Sequence, residues 1–267
     1  MSLVVRVLLL GGFVINVVAF QNCSPVNFAS EQPEKQNQAQ GTQGPQDGAP
    51  GTNTEVGILP ENLEPEICDP LAENSGRDDG SSCIAGQGLR GKIYYFDDTT
   101  PDLGSKKLDD YFKYGHKIDA TIAFSKVDIA PRRFDEGFPT GGGDFVKKGN
   151  GDKLFEWFAM DLIGAVKLAG SSGDYQFALV SDDGAILEVE GQKVIDQDGT
   201  RAVTWGCSSA PIQFQDGVAK KMRLQYFQGP RFEIALRLLW RPWANSAQPC
   251  NDSGGFVPVP AEVLLSE

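Results

Sequence analysis

The chain of 267 residues has a formal charge of −12 and a single histidine. That acidity excludes sequence-independent binding of nucleic acid, which needs clustered basic side chains to displace phosphate counterions. It leaves a surplus of carboxylates, the oxygen donors that hard cations such as calcium prefer.

The first element in chain order is a leader. Arg6 precedes an apolar stretch from Val7 to Phe20, broken only by Gly11, Gly12 and Asn16. This is too short for a comfortable bilayer span and reads as a secretory signal over residues 1–22. It stops at Phe20-Gln21-Asn22-Cys23, which resembles the lipobox of bacterial lipoproteins, although Gln21 and Asn22 stand where small residues are usual. Lipidation of Cys23 would anchor the chain to a membrane; ordinary cleavage nearby is the alternative. Ser24 lacks the aspartate that retains familiar lipoproteins at the inner membrane, so the expected location is the outer membrane, periplasmic or surface-exposed.

Cysteine counting bears on the same point. There are five cysteines, and an odd number in an exported chain leaves one thiol over. Acylating Cys23 leaves Cys68, Cys83, Cys207 and Cys250, which can pair in three ways. The pairing expected is Cys68–Cys83 and Cys207–Cys250. The first would close a short polar loop and contribute about 3 kcal/mol through the unfolded state. A zinc site is disfavoured, because no Cys-x-x-Cys pair exists and His116 stands alone.

Residues 23–66 read as a disordered linker. Gln32 to Thr54 is dominated by Gln, Gly, Pro, Asn and acidic residues, with almost nothing to bury. At roughly 5–6 Å × √n, such a segment would hold a folded unit several nanometres from its anchor.

The folded part is expected over 67–250. Gly91 to Phe96 reads as a first strand, ended by Asp97-Asp98, and Ile118, Ile122, Phe124 and Val127 mark short strands. Gly141-Gly142-Gly143 lacks the strand-to-helix setting of a phosphate-binding loop. Phe155 to Val166, with Trp157, Phe158, Met160 and Leu162, reads as a buried strand. Tyr175 to Val180 is an apolar run, and Ala185, Leu187 and Val189 alternate with Ile186, Glu188 and Glu190. Between these two strands lies the turn Ser181-Asp182-Asp183-Gly184. Two adjacent like charges are awkward for a turn that only reverses the chain, and fit better if they share a cation. Met222 to Tyr226 and Phe232 to Trp240 read as a hairpin joined by Gln228-Gly229-Pro230, with Phe232, Ile234, Leu236, Leu238 and Trp240 on one face. Short strands, 31 glycines and little helical periodicity predict an all-β fold, an antiparallel β-sandwich forming a single domain behind the tether. The tail over 251–267, with Pro258 and Pro260, is expected to be peripheral.

The Gly-Lys-Ile-Tyr-Tyr-Phe opening strand, the run from Gly173 to Ala185 containing Ser-Asp-Asp-Gly, and Glu190-Gly-Gln-Lys-Val-Ile-Asp196 resemble the protective-antigen fourteen-kilodalton domain family. That β-sandwich occurs in bacterial toxins, glycosidases and fungal adhesins, and the resemblance covers residues 89–243. In the adhesin members it implies adjacent aspartates, joined by a cis peptide, that bind calcium, which in turn holds vicinal sugar hydroxyls. Asp182 and Asp183 match those aspartates. The adhesins add an asparagine from the loop between the last two strands; Gln228 stands nearest that place, so Asp182, Asp183 and Gln228 form the expected metal set.

Trp205, flanked by Thr204 and Gly206, and Arg231 at the expected hairpin tip are the further ligand-binding candidates. Asp196 and Asp198 fit an Asx turn or extra carboxylates, Trp240 fits the core, Trp243 is an aromatic candidate, and His116 has no evident acid–base partner. The implied function is a lipid-anchored envelope module that binds glycans or glycosylated surfaces, with calcium as cofactor and no enzymatic activity. A structural envelope lipoprotein without sugar binding is the alternative. A glycosidase ranks below both, since two carboxylates of one turn do not flank a scissile bond at the separation of about 5–5.5 Å that a retaining mechanism uses.

Overall fold

The computed structural model describes residues 66–69, 84–137 and 145–266. The expected signal, the linker up to Pro65, Cys23, Cys83 and Gly141 to Gly143 lie outside the described residues. Strand-forming runs become β1 (Glu66–Cys68), β2 (Leu89–Tyr95), β3 (His116–Lys117), β4 (Thr121–Phe124), β5 (Asp128–Arg133), β6 (Phe158–Val166), β7 (Gly173–Asp182) and β8 (Ala185–Val189). Then follow β9 (Gln192–Asp196), β10 (Thr204–Cys207), β11 (Ile212–Phe214), β12 (Lys220–Gln228), β13 (Glu233–Pro242), β14 (Val257–Pro258) and β15 (Leu264–Leu265).

One sheet runs β1-β4-β2-β6-β12-β8-β9, with β3 on β2 and β15 on β6. The other runs β10-β7-β13-β14, with β11 on β7 and β5 on β13. Their inner faces make one core. Ile93, Met160, Leu162, Leu187, Leu224 and Tyr226 of the first sheet meet Phe177, Leu179, Leu236, Leu238 and Trp240 of the second. The period-two alternation selects these residues, since successive side chains point to opposite faces. Each such aliphatic or phenyl group contributes about 1.5–3 kcal/mol by leaving water. This is the antiparallel-rich all-β sandwich that the sequence predicts.

Four expectations are corrected. The run around Gln228-Gly229-Pro230 is no hairpin: β12 pairs with β6 and β8, whereas β13 pairs with β7, β5 and β14. The connection crosses from one sheet to the other, and Phe232, expected on the apolar face, sits outside the strand at 83% exposure. Secondly, Trp157 precedes β6 instead of lying within it. Its φ is 59°, and its side chain is only half-buried.

Thirdly, a helix was not anticipated. Helix α1 (Leu108–Tyr114) lays Leu108 and Tyr111 over Ala159, Ile186 and Phe227 on the outer face of the first sheet. Two turns are too few for a convincing helical period.

Lastly, the tail is not peripheral. β14 pairs with β13, β15 pairs with β6, and Val259 and Leu264 enter the core. The buried guanidinium of Arg241 explains the fixed path of the intervening segment. It donates to Gln176 Oε1 (2.7 and 2.9 Å) and to the carbonyls of Gly254 (2.5 Å), Gln248 (2.9 Å) and Pro249 (3.2 Å). The Phe256 ring lies 4.1 Å from it. The Cys207–Cys250 disulfide, as expected, ties the same segment to β10, with Cα atoms 6.1 Å apart. Cys68 is also disulfide-bonded.

Candidate functional site

The turn at Asp182-Asp183-Gly184 joins β7 of one sheet to β8 of the other, so it too is an inter-sheet corner. It lies beside the β12–β13 corner. Backbone pairing explains why: Ala235 of β13 is registered with Asp182, and Phe227 N donates to Gly184 O at 2.9 Å. Glycine at 184 is a packing requirement. A Cβ there would stand 2.3 Å from Phe227 Cε1 and 2.8 Å from Gly199 N. The Asp182–Asp183 peptide is cis.

Both carboxylates are buried, and among the described residues neither forms an ion pair. Asp183 Oδ1 accepts from the Arg201 backbone N–H (2.8 Å), and Oδ2 accepts from the Gly229 N–H (2.7 Å). One carboxylate thus ties three loops together. The Arg201 guanidinium turns to the carbonyls of Asp198 (2.7 Å) and Gly199 (3.2 Å). Loss of hydration pushes the Asp182 carboxyl up to about 7, helped by repulsion from Asp183 and Glu233 and opposed by a hydrogen bond from the Val203 backbone. Burial also raises Asp183, against the two backbone donors and the Arg201 charge. The pair therefore resists carrying two negative charges unless a cation joins it.

A cleft of about 810 Å³ opens on the pair, lined also by Asp98, Glu156, Trp157, Arg201, Arg231 and Glu233. Of its lining, Asp98 pairs with Lys148 Nζ at 2.6 Å, and Arg231 approaches Glu156 at 3.8 Å. Burial raises the Glu156 carboxyl, the largest of the influences on it.

The predicted residues fare unequally. Asp182, Asp183 and Arg231 line this cleft. Gln228 does not: it is wholly buried, with Nε2 donating to Glu233 O (2.9 Å) and Oε1 against the Tyr226 hydroxyl (2.6 Å). That hydroxyl also reaches the Asp182 carbonyl oxygen at 2.5 Å. The longer amide therefore fastens the β12–β13 corner from inside, in place of offering oxygen to an ion. Trp205 lies outside the cleft lining, on the outer face of the second sheet with Phe256 5.8 Å away. Asp196 and Asp198 make the turn: Asp198 N donates to Asp196 Oδ1 (3.1 Å), and Asp198 Oδ1 accepts from Leu108 N (3.2 Å). Trp240 is in the core, stacked on Tyr175 at 4.3 Å. His116 is exposed beside Asp97 at 3.3 Å.

Sequence reasoning missed Trp157, Arg201, Tyr226 and Glu233. No local pattern marks them, because three sequence-distant connections bring them to one end of the sandwich.

The donors fit a hard cation in part. Two adjacent carboxylates with lone pairs to spare are suitable oxygen ligands, but Gln228 is not available. Among the described residues no group of three or more His, Cys, Asp or Glu side chains surrounds one point. Carbonyls, water or ligand hydroxyls would have to supply the other positions.

Residues 165–252 match the PA14 domain family. The fold is similar to a PA14 sugar-binding domain from an RTX adhesin, at 18% identity and a TM-score of 0.50, over 68% of this chain and 100% of that one. An anti-sigma factor domain-containing protein gives 20% identity and a TM-score of 0.45 over 68% of this chain and 48% of its own, so this chain spans about half that protein's length. The Epithelial Adhesin 6 A domain from Candida glabrata, solved with Galb1-3GlcNAc, gives 14% identity and a TM-score of 0.44 over 72% of this chain and 92% of that one. No curated protein matches this chain.

Proposed function

Because the chain carries a PA14 domain, we propose that it is a carbohydrate-binding module whose site is the cleft at Asp182 and Asp183. One observation carries the reading: consecutive carboxylates, buried at the junction of two inter-sheet corners, form no ion pair among the described residues. Leaving such groups uncompensated is expensive, and a bound divalent cation offsets the expense. Calcium, when bound, supplies positive charge to the pair and open coordination positions for vicinal hydroxyls. Asp182 and Asp183 would hold it; Asp183 is already oriented by Arg201 and Gly229. The two carboxylates act as ligands, and no acid–nucleophile pair is assigned.

In this reading the module is exported and anchored through Cys23 to the bacterial outer membrane, as an adhesin-like envelope lipoprotein. The leader, the odd cysteine and the polar linker support that placement. A glycan array probed with calcium or with EDTA tests the binding. Calcium-dependent signals that vanish in Asp182→Asn are expected. Binding indifferent to chelator and to loss of both carboxylates would refute the site, and turnover of a glycoside would refute the binding-only role. Metabolic labelling with a palmitate analogue, lost in Cys23→Ser, tests the anchor.

A further inference from the structure

Trp157 lines the cleft and, among the described residues, stands in no aromatic pair. We propose that it is the stacking surface for the apolar face of a pyranose, an inference that rests on the carbohydrate-binding reading of the same cleft.

Three observations converge on it. Trp157 holds φ at 59°, the left-handed region that a bulky side chain avoids and glycine prefers. Such conformations persist where surroundings enforce them and gather at binding sites. Here Trp157 O accepts from Phe96 N (2.9 Å), and the next residue, Phe158, is registered with Gln228. The strained residue therefore stands at the end of the β6–β12 ladder, next to Gly229, whose N–H holds Asp183.

The side chain is also unspent. Rings outside the cleft lining pack against one another, as Tyr111 does on Phe227 and Phe134 on Phe155. Among the described residues the Trp157 ring stacks on no other ring, and its indole N–H has no protein acceptor. It is half-buried in the wall of the cleft. An aromatic face with an adjacent free N–H suits a sugar, which presents C–H bonds on one face and hydroxyls at its edge.

Thirdly, the lining has a second aromatic in a strained conformation. Phe232 holds φ at 122° and is the most exposed large apolar side chain among the described residues. The lining carries five carboxylates (Asp98, Glu156, Asp182, Asp183, Glu233) against two guanidinium groups (Arg201, Arg231). Lys148 meets Asp98 and Arg231 approaches Glu156, so Asp182, Asp183 and Glu233 are the lining carboxylates without an ion pair among the described residues.

The test is titration of the full chain, in calcium, with methyl β-galactopyranoside, methyl α-mannopyranoside, galacturonate and N-acetylneuraminate, followed by tryptophan fluorescence and calorimetry. A bound sugar should change the emission. Trp157→Gly, chosen because glycine accepts the left-handed backbone, should weaken binding by about tenfold or more and abolish the emission change. Trp157→Phe should retain part of the affinity, and its melting temperature reports on folding. If Trp157→Gly and Trp157→Phe both bind as wild type does, while Asp182→Asn does not, the stacking role is overturned and the cation site stands. If a sugar binds and leaves the emission unchanged, the stacking role is overturned. If the wild type binds no glycoside at all, this inference and the proposed function fall together.

Discussion

Replacing Asp182 by asparagine should stabilise the metal-free protein at pH 8. In the folded state this carboxyl titrates near 7, against 3.8 for the unperturbed group. A folded-state value above the unfolded one means that stability is fully present below about 3.8 and falls as pH rises through about 7. The full difference corresponds to about 4 kcal/mol, and solvent on the cleft side of the carboxylate screens it to about 1–2 kcal/mol. Asparagine removes that charge at nearly constant volume. In EDTA at pH 8 the variant should therefore melt about 2–8 °C above wild type, and at pH 4 the two should converge. Calcium should invert the order. At a hundred times its Kd, a ligand specific to the folded state adds about 2.7 kcal/mol to wild type and nothing to the variant. Thermal melts at pH 4 and pH 8, with EDTA or with calcium, read all four conditions. The reasoning is refuted if the metal-free variant is less stable than wild type at pH 8, or if calcium raises both melting temperatures equally.

Three further outcomes follow from the geometry. Gln228→Leu should cost about 1–3 kcal/mol by unpairing the Glu233 carbonyl and leaving the Tyr226 hydroxyl one partner fewer, yet calorimetry should show calcium affinity unchanged. A large loss of calcium affinity with the fold intact would restore Gln228 as a ligand. Gly184→Ala drives a methyl toward Phe227 and the Gly199 backbone, and should lower stability by about 1–3 kcal/mol in urea melts; an unchanged midpoint would contradict the close packing of the corner. Arg241→Met should cost about 3–5 kcal/mol and accelerate amide exchange across 243–256, because Gln176 Oε1 and several carbonyls lose their donor. Unaltered protection in that segment would show that the disulfide alone fixes it.

How far the sequence could be read is clearest at the two corners. The alternation in Tyr175 to Val180, Ala185 to Val189 and Ile234 to Trp240 identifies which side chains are buried, and β7, β8 and β13 bury them. Alternation reports a strand's buried face; it is silent on the strand's neighbours and on which sheet it joins. The Met222-to-Trp240 segment therefore looks like a hairpin, although its halves lie in opposite sheets. Short α1 and the C-terminal strands escaped for a related reason. Their residues become buried only because Phe227, Ile186 and Arg241 await them.

The site divides along the same line. Adjacent aspartates before a glycine are a local signal, and the sequence alone singled out Asp182 and Asp183 and the apolar strands around them, whereas the Cys207–Cys250 link was one of three possible pairings until the structure showed it. Only the tertiary structure decided that two inter-sheet corners meet there. It turned Gln228 inward to the Tyr226 hydroxyl, placed Trp205 against Phe256, and put Trp157 into the cleft. Backbone pairing over long sequence separations set the last two choices, and even the local Tyr226–Gln228 contact faces inward only because β12 is held between β6 and β8.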